Sequence, residues 1–240
     1  MSDVAAGESP PSADDHAPAG HGHGHGPKWL AHHFDTPVQQ YDTAKLGMWA
    51  FLIQELLFFS GLFVAYGIYR QWYPHMFVAG SHQLDKIMGG TNTIVLLFSS
   101  LTAALSVRAA QLGQKKNTSI FLLITVACAC AFLVIKFFEY RHKFHAGLLP
   151  GAYFAPVEAE LHKGIVLPAN SQIFYSIYFM TTGVHGLHVL VGIGVLLWIW
   201  RRNERGDFSK EYFTAVDLAA LYWHLVDLVW IYLFPLLYLI

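Results

Sequence analysis

Five apolar runs, each long enough at helical rise to cross a bilayer core, decide what this chain can become. They cover about residues 44–69, 86–111, 119–140, 173–200 and 213–240. Backbone in hydrocarbon must satisfy its own hydrogen bonds, and runs of this length do so as helices. The expected fold is all-α and integral to a membrane. It is a five-transmembrane-helix bundle over residues 28–240, preceded by a disordered tail over residues 1–27. No internal repeat relates the runs.

Composition fits: 55% of residues are apolar and 13% charged, too few charges to clothe a soluble surface of this size. A net charge of -1 suggests no nucleic-acid partner. The first 27 residues are rich in Ala, Pro, Gly and Ser and end in HGHGHG. They hold no apolar stretch, so neither a secretory signal peptide nor an ordered core is expected there. Weak metal binding by the alternating histidines is the sharper reading of the tail, and a solvated tail the blander one. Residues 28–44 read as a polar approach segment.

Lys and Arg orient the bundle. With the N-terminus inside, Lys28, Lys45, Arg108, Lys115, Lys116, Arg201, Arg202, Arg205 and Lys210 lie on the inner side. Arg70, Lys86, Arg141, Lys143 and Lys163 lie on the outer side. This bias predicts a cytoplasmic N-terminus. The connection 141–172 is expected to cap the outer surface.

The informative residues are the ionisable ones inside the runs. Glu55 sits in the middle of the first run, where a charge is costly and a carboxylate reads as functional by default. A proton relay is the sharp reading, and a neutral acid bonded to a neighbouring helix or a lipid headgroup the bland one. Glu139 lies three residues after Lys136, at a spacing that suits an ion pair, with Lys136 also able to snorkel outward. His185 and His188 share a helical face and in principle a metal. His224 and Asp227 share another, where the carboxylate is expected to fix the imidazole tautomer. Interhelical hydrogen bonds explain these groups more simply than a metal does. Thr91, Thr93, Ser99, Ser100 and Thr102 in the second run suit close helix packing. Cys128 and Cys130, two apart on a helix, point away from each other and read as buried apolar packing.

Five ordered segments also carry a family resemblance. They are KLGMWAFLIQELLFFSGLFVAY, NTIVLLFSSLTAALSVRAA, KFFEYRHKFHAGLLPG, YFMTTGVHGLHVLVG and AALYWHLVDLVWIYLFPLLY. Together they resemble subunit III of the haem–copper oxidases, especially bacterial cytochrome c oxidase subunit III in its five-helix form. The fourth segment matches the family pattern FFxxTGxHGxHVxxG. The two opening helices of the seven-helix form have no counterpart. The resemblance implies a non-catalytic subunit of a proton-pumping terminal oxidase that reduces oxygen to water in a bacterial cytoplasmic (inner) membrane. It implies no cofactor in this chain, haems and copper in partner subunits I and II, and bound phospholipid. It further implies support of proton uptake around Glu55 and a place for the complex in a respiratory supercomplex. Arg108 and Arg201, near helix ends, are headgroup candidates for a lipid between the first helix and the others.

Other readings stay open at this stage. A quinol oxidase subunit III would share the fold. A stand-alone proton-coupled transporter would use Glu55, Glu139 and Asp227 as relays, though repeat symmetry is absent. A His-box di-iron enzyme would need more histidines than HGLH supplies.

Overall fold

A computed structural model describes residues 30–31, 33–150, 153–157, 167–168 and 170–240. The expected tail over residues 1–27 and part of the expected outer cap lie outside the described residues. Among the described residues, six helices follow one another: α1 (Pro37–Trp72), α2 (Pro74–His82), α3 (Lys86–Gln111), α4 (Lys115–His145), α5 (Gln172–Arg205) and α6 (Thr214–Tyr238). All but α2 are long and apolar enough to span a membrane, which confirms the five-helix reading.

The helix limits have local causes. α1 starts earlier than hydropathy alone indicates. Pro37 occupies the first turn and the Thr36 side chain accepts from the Gln39 amide at 3.2 Å, so the end of the approach segment is helical. α3 is capped by Asp85, whose Oδ1 accepts from Ile87 N at 2.8 Å and Met88 N at 3.1 Å. α5 ends at Gly206, whose φ of 84° closes the helix in the left-handed region that a side chain resists. The short α2 has a modest sequence signal, Pro74 at its first turn. It docks through Met76 and Phe77, and Phe77 sits edge-on to Tyr66 of α1 and Phe174 of α5.

α3, α4, α5 and α6 form the compact part of the bundle, with the α3–α4 pair the closest. The face of α3 toward the bundle is small or hydroxylated at Ser99, Thr102, Ala103, Ser106 and Ala110, and all are buried. Small residues let helix backbones approach where lipid gives no hydrophobic push. Hydroxyls then bond across the seam. Thr102 Oγ1 meets Thr125 Oγ1 of α4 at 2.8 Å. Two buried indoles of α6 donate back to α3, Trp223 to Ser99 Oγ at 3.0 Å and Trp230 to Thr93 Oγ1 at 3.1 Å. Gly192 of α5 supplies the room for Trp223: a Cβ there would lie 2.7 Å from the indole.

α1 is different. Only 11% of its most apolar window is buried, against 28–50% in the other four spanning helices. It is held at three levels. Tyr41 donates to Asp217 of α6 at 2.8 Å, with Lys45 also 3.4 Å from that carboxylate. Glu55 reaches α5 near the middle, and the Tyr66 hydroxyl donates to the Leu236 carbonyl at the other end. The cysteines do not fill the core as expected. Cys128 is half-buried and Cys130 exposed, because the bundle turns this side of α4 outward.

Candidate functional site

Glu55 is brought to His188. Its Oε2 lies 3.0 Å from Nε2, and both side chains are about one-sixth exposed, 15% and 16%. The other ring nitrogen settles the chemistry. His188 Nδ1 is 2.8 Å from the Val184 carbonyl, which can only accept, so Nδ1 carries a proton. A neutral imidazole then offers Nε2 as an acceptor, and a carboxylate is an acceptor as well. The contact therefore holds one proton, on Glu55 or on His188, and the pair is neutral overall in either form. Phe58 and Phe59 lie against the imidazole at centroid distances of 6.3 and 5.0 Å. Tyr222 of α6 donates to the His188 carbonyl at 3.1 Å, tying this turn of α5 to the bundle.

A second polar centre lies toward the α4 C-terminus. Lys136 does not snorkel. It is 7% exposed, and its Nζ donates to Glu139 Oε2 at 2.9 Å, Tyr178 Oη at 3.1 Å and Tyr238 Oη at 3.0 Å. Glu139 Oε1 accepts from Tyr178 at 2.8 Å and Tyr238 at 2.5 Å. The ammonium also lies 5.2 Å from the Trp230 ring centroid. The spacing from Lys136 to Glu139 pointed to the pair, but the phenols come from helices 42 and 102 residues away and leave no local sequence signal. Their donors and acceptors hold the lysine inside. One turn on, buried Lys143 donates to the Gln83 carbonyl and fastens the α2–α3 turn to α4.

The remaining sequence candidates separate. His185 does not share a metal with His188. Its ring is enclosed between Phe132 and Trp230, at centroid distances of 5.5 and 5.3 Å. Neither of its nitrogens has a hydrogen-bond partner among the described residues. His224 and Asp227 do not pair either. His224 Nδ1 bonds Ser100 Oγ at 2.7 Å, and its ring lines a groove beside α1. Asp227, 2% exposed, turns toward Ser99 and Ser100, and its oxygens make no well-formed hydrogen bond among the described residues. Three residues along a helix bring two side chains to one side without making them touch. Among the described residues, no three His, Cys, Asp or Glu side chains converge as metal ligands would.

Two apolar grooves flank α1. One runs against α6, past Leu52, Leu56 and Leu225, and encloses about 280 Å³. The other runs against α5 and α6, past Phe51, Val195 and Tyr222, and encloses about 390 Å³. Arg108 and Arg201 line neither: both are exposed at helix ends, and Arg108 donates to Gln111 at 3.3 Å.

Comparison with known proteins places this arrangement. The family model for cytochrome c oxidase subunit III matches residues 148–240. Cytochrome c oxidase subunit 3 of Synechocystis sp. is 32% identical over 200 residues, spanning 83% of this chain and 76% of the relative. That of Thermostichus vulcanus is 32% identical over 211 residues, 86% of this chain and 92% of the relative. That of Loxodonta africana is 32% identical over 219 residues, 86% of this chain and 72% of the relative. With identity at this level over most of both chains, and five spanning helices, this multi-pass membrane protein belongs to the cytochrome c oxidase subunit III family.

Proposed function

We propose that the chain is the non-catalytic subunit III of a proton-pumping haem–copper terminal oxidase, with cytochrome c as the electron donor of the complex. Haems and copper belong to partner subunits I and II. This chain stabilises the catalytic subunit, binds lipid and supports proton uptake. The names of its relatives favour cytochrome c over a quinol as donor. The complex sits in a bacterial cytoplasmic membrane with the N-terminus of this chain inside. Burial of Lys143 removes one cation from the opposite side's count and sharpens the charge bias behind that orientation.

The observation that carries the reading is the Glu55–His188 pair. It shares one proton in the apolar middle of a helix whose outward face has no neighbour among the described residues. Such a pair can pass its proton between carboxyl and imidazole with no change of net charge in the membrane. The exposed face of α1, with Leu46, Trp49, Ile53, Leu57 and Val64, is available to another subunit or to lipid.

Purification through this chain in mild detergent tests the reading. Haem absorption and subunits I and II are expected to co-purify, with no haem in the isolated chain. Recovery of the chain without haem or those subunits overturns it.

A further inference from the structure

A furrow between α4 and α5, on a different side from the grooves along α1, has the length of one membrane leaflet. Its walls include Phe132, Phe137 and Phe144 of α4 and Leu187 and Leu190 of α5. From Phe132 to Phe144 it runs about 18 Å at helical rise, slightly over half of a ~30 Å hydrocarbon core. It encloses about 560 Å³, the largest of the three grooves described. Gly183 and Gly186 of α5 leave it open. A Cβ at Gly186 would meet nothing within 4 Å, and one at Gly183 would meet only the Tyr140 hydroxyl, at 3.8 Å.

Among the described residues, the furrow's one cation without a partner lies near one end. Arg141 lines it there and is exposed, with no hydrogen bond or ion pair to another described residue. Lys136, which also lines it, has its Nζ occupied by Glu139, Tyr178 and Tyr238. An apolar hollow one leaflet long, with a guanidinium near the membrane face that has no partner among the described residues, calls for a molecule with a long hydrocarbon chain and an anionic head.

We propose that the α4–α5 furrow binds a membrane phospholipid, with one acyl chain along Phe132–Phe144 and the phosphate hydrogen-bonded by Arg141. Guanidinium and phosphate match in geometry and charge, and the bond strengthens where water is scarce. The open space at Gly183 and Gly186 lets the acyl chain sink between the helices. The site rests on the membrane placement of the chain and not on the donor or the catalytic partner of the complex.

The test uses phosphatidylglycerol with a diazirine in its acyl chain, added to membranes that hold the full chain. Samples are irradiated and the labelled peptides mapped by mass spectrometry. Labelling in membranes does not depend on co-purified haem, so failure of this site and failure of the oxidase reading are separable. The expected result is label on residues 132–144 and 183–190. Gly186→Leu, whose Cβ meets nothing within 4 Å and whose side chain takes up the furrow's space, abolishes that label and leaves label beside α1 unchanged. Arg141→Gln, at an exposed side chain that does not threaten folding, raises the lipid concentration needed about tenfold. Equal labelling of wild type and both variants overturns the proposal. So does label confined to the α1 grooves, or equal displacement by oleate, which would make the ligand a free fatty acid. If Gly186→Leu fails to accumulate, the Arg141→Gln arm decides alone.

Discussion

Glu55 and His188 lie 133 residues apart in sequence and 3.0 Å apart in space, joined by a single shared proton, because the Val184 carbonyl on the far side of the imidazole holds the other one on Nδ1. Glu55→Gln keeps a donor opposite Nε2 through the amide but removes the exchangeable acid. The expected outcome is an intact haem spectrum and normal initial turnover, with faster loss of activity during sustained turnover or slower proton uptake. Oxygen consumption traces and stopped-flow proton uptake check it. Loss of haem or of initial turnover in an assembled complex would place Glu55 in the chemistry itself. Glu55→Leu leaves Nε2 without a partner and should cost about 1–3 kcal/mol of stability as well.

Lys136 and Glu139 should behave as a unit. Removing one partner strands a buried charge among phenols and an indole. Lys136→Met or Glu139→Leu alone is expected to destabilise by about 3–5 kcal/mol. The double variant should recover much of that, because no charge remains to be desolvated. Thermal denaturation of the purified protein in detergent reads all three, and additive single losses would refute the coupling.

Gly192→Ala should destabilise through contact alone. The new methyl would lie 2.7 Å from Trp223, which is fully buried and held by its bond to Ser99. Overpacking of this kind costs about 1–3 kcal/mol. Gly186→Ala, where nothing stands within 4 Å, is the matched control and should be neutral or slightly stabilising. The difference in melting temperature between the two variants is the measurement.

Asp227→Asn should differ in sign from Glu139→Leu. Asp227 is as buried as Glu139 but has no cation beside it and no well-formed hydrogen bond among the described residues. Replacing an unpartnered acid by its neutral isostere removes a desolvation cost, so stability should hold or rise. A melting temperature several degrees below wild type would show that the carboxyl has a partner of its own.

The spanning helices were legible because a bilayer sets their length, and runs of apolar residues report it directly. The 86–111 run and α3 coincide. α2 was missed because nine residues with four buried positions leave no run to see, only Pro74. Within the site, Glu55 was legible as a costly carboxylate, but its partner was not. The sequence singled out His188 for His185, three residues away, whereas rotation of α5 turns one ring toward α1 and the other into the core. The same limit explains His224 and Asp227. Spacing along one helix names a face, and only the neighbouring helices decide what that face meets. Lys136 shows it most clearly, since the groups that keep it from the membrane surface stand on α5 and α6.

The attachments of α1 bear on the order of biogenesis. Its three footholds are Asp217, His188 and Leu236, each at least 133 residues downstream of its partner. α1 thus enters the bilayer long before the spanning helices that bond to it, with only the short α2 packed against its end. Until α5 brings His188, only the short α2 stands against this helix and its carboxyl has no partner, and until α6 leaves the translocon two of the three footholds are missing. A chain truncated before Leu236 would lose the last foothold while keeping every earlier span. The final helix is therefore also the latch that ends the exposure of the first.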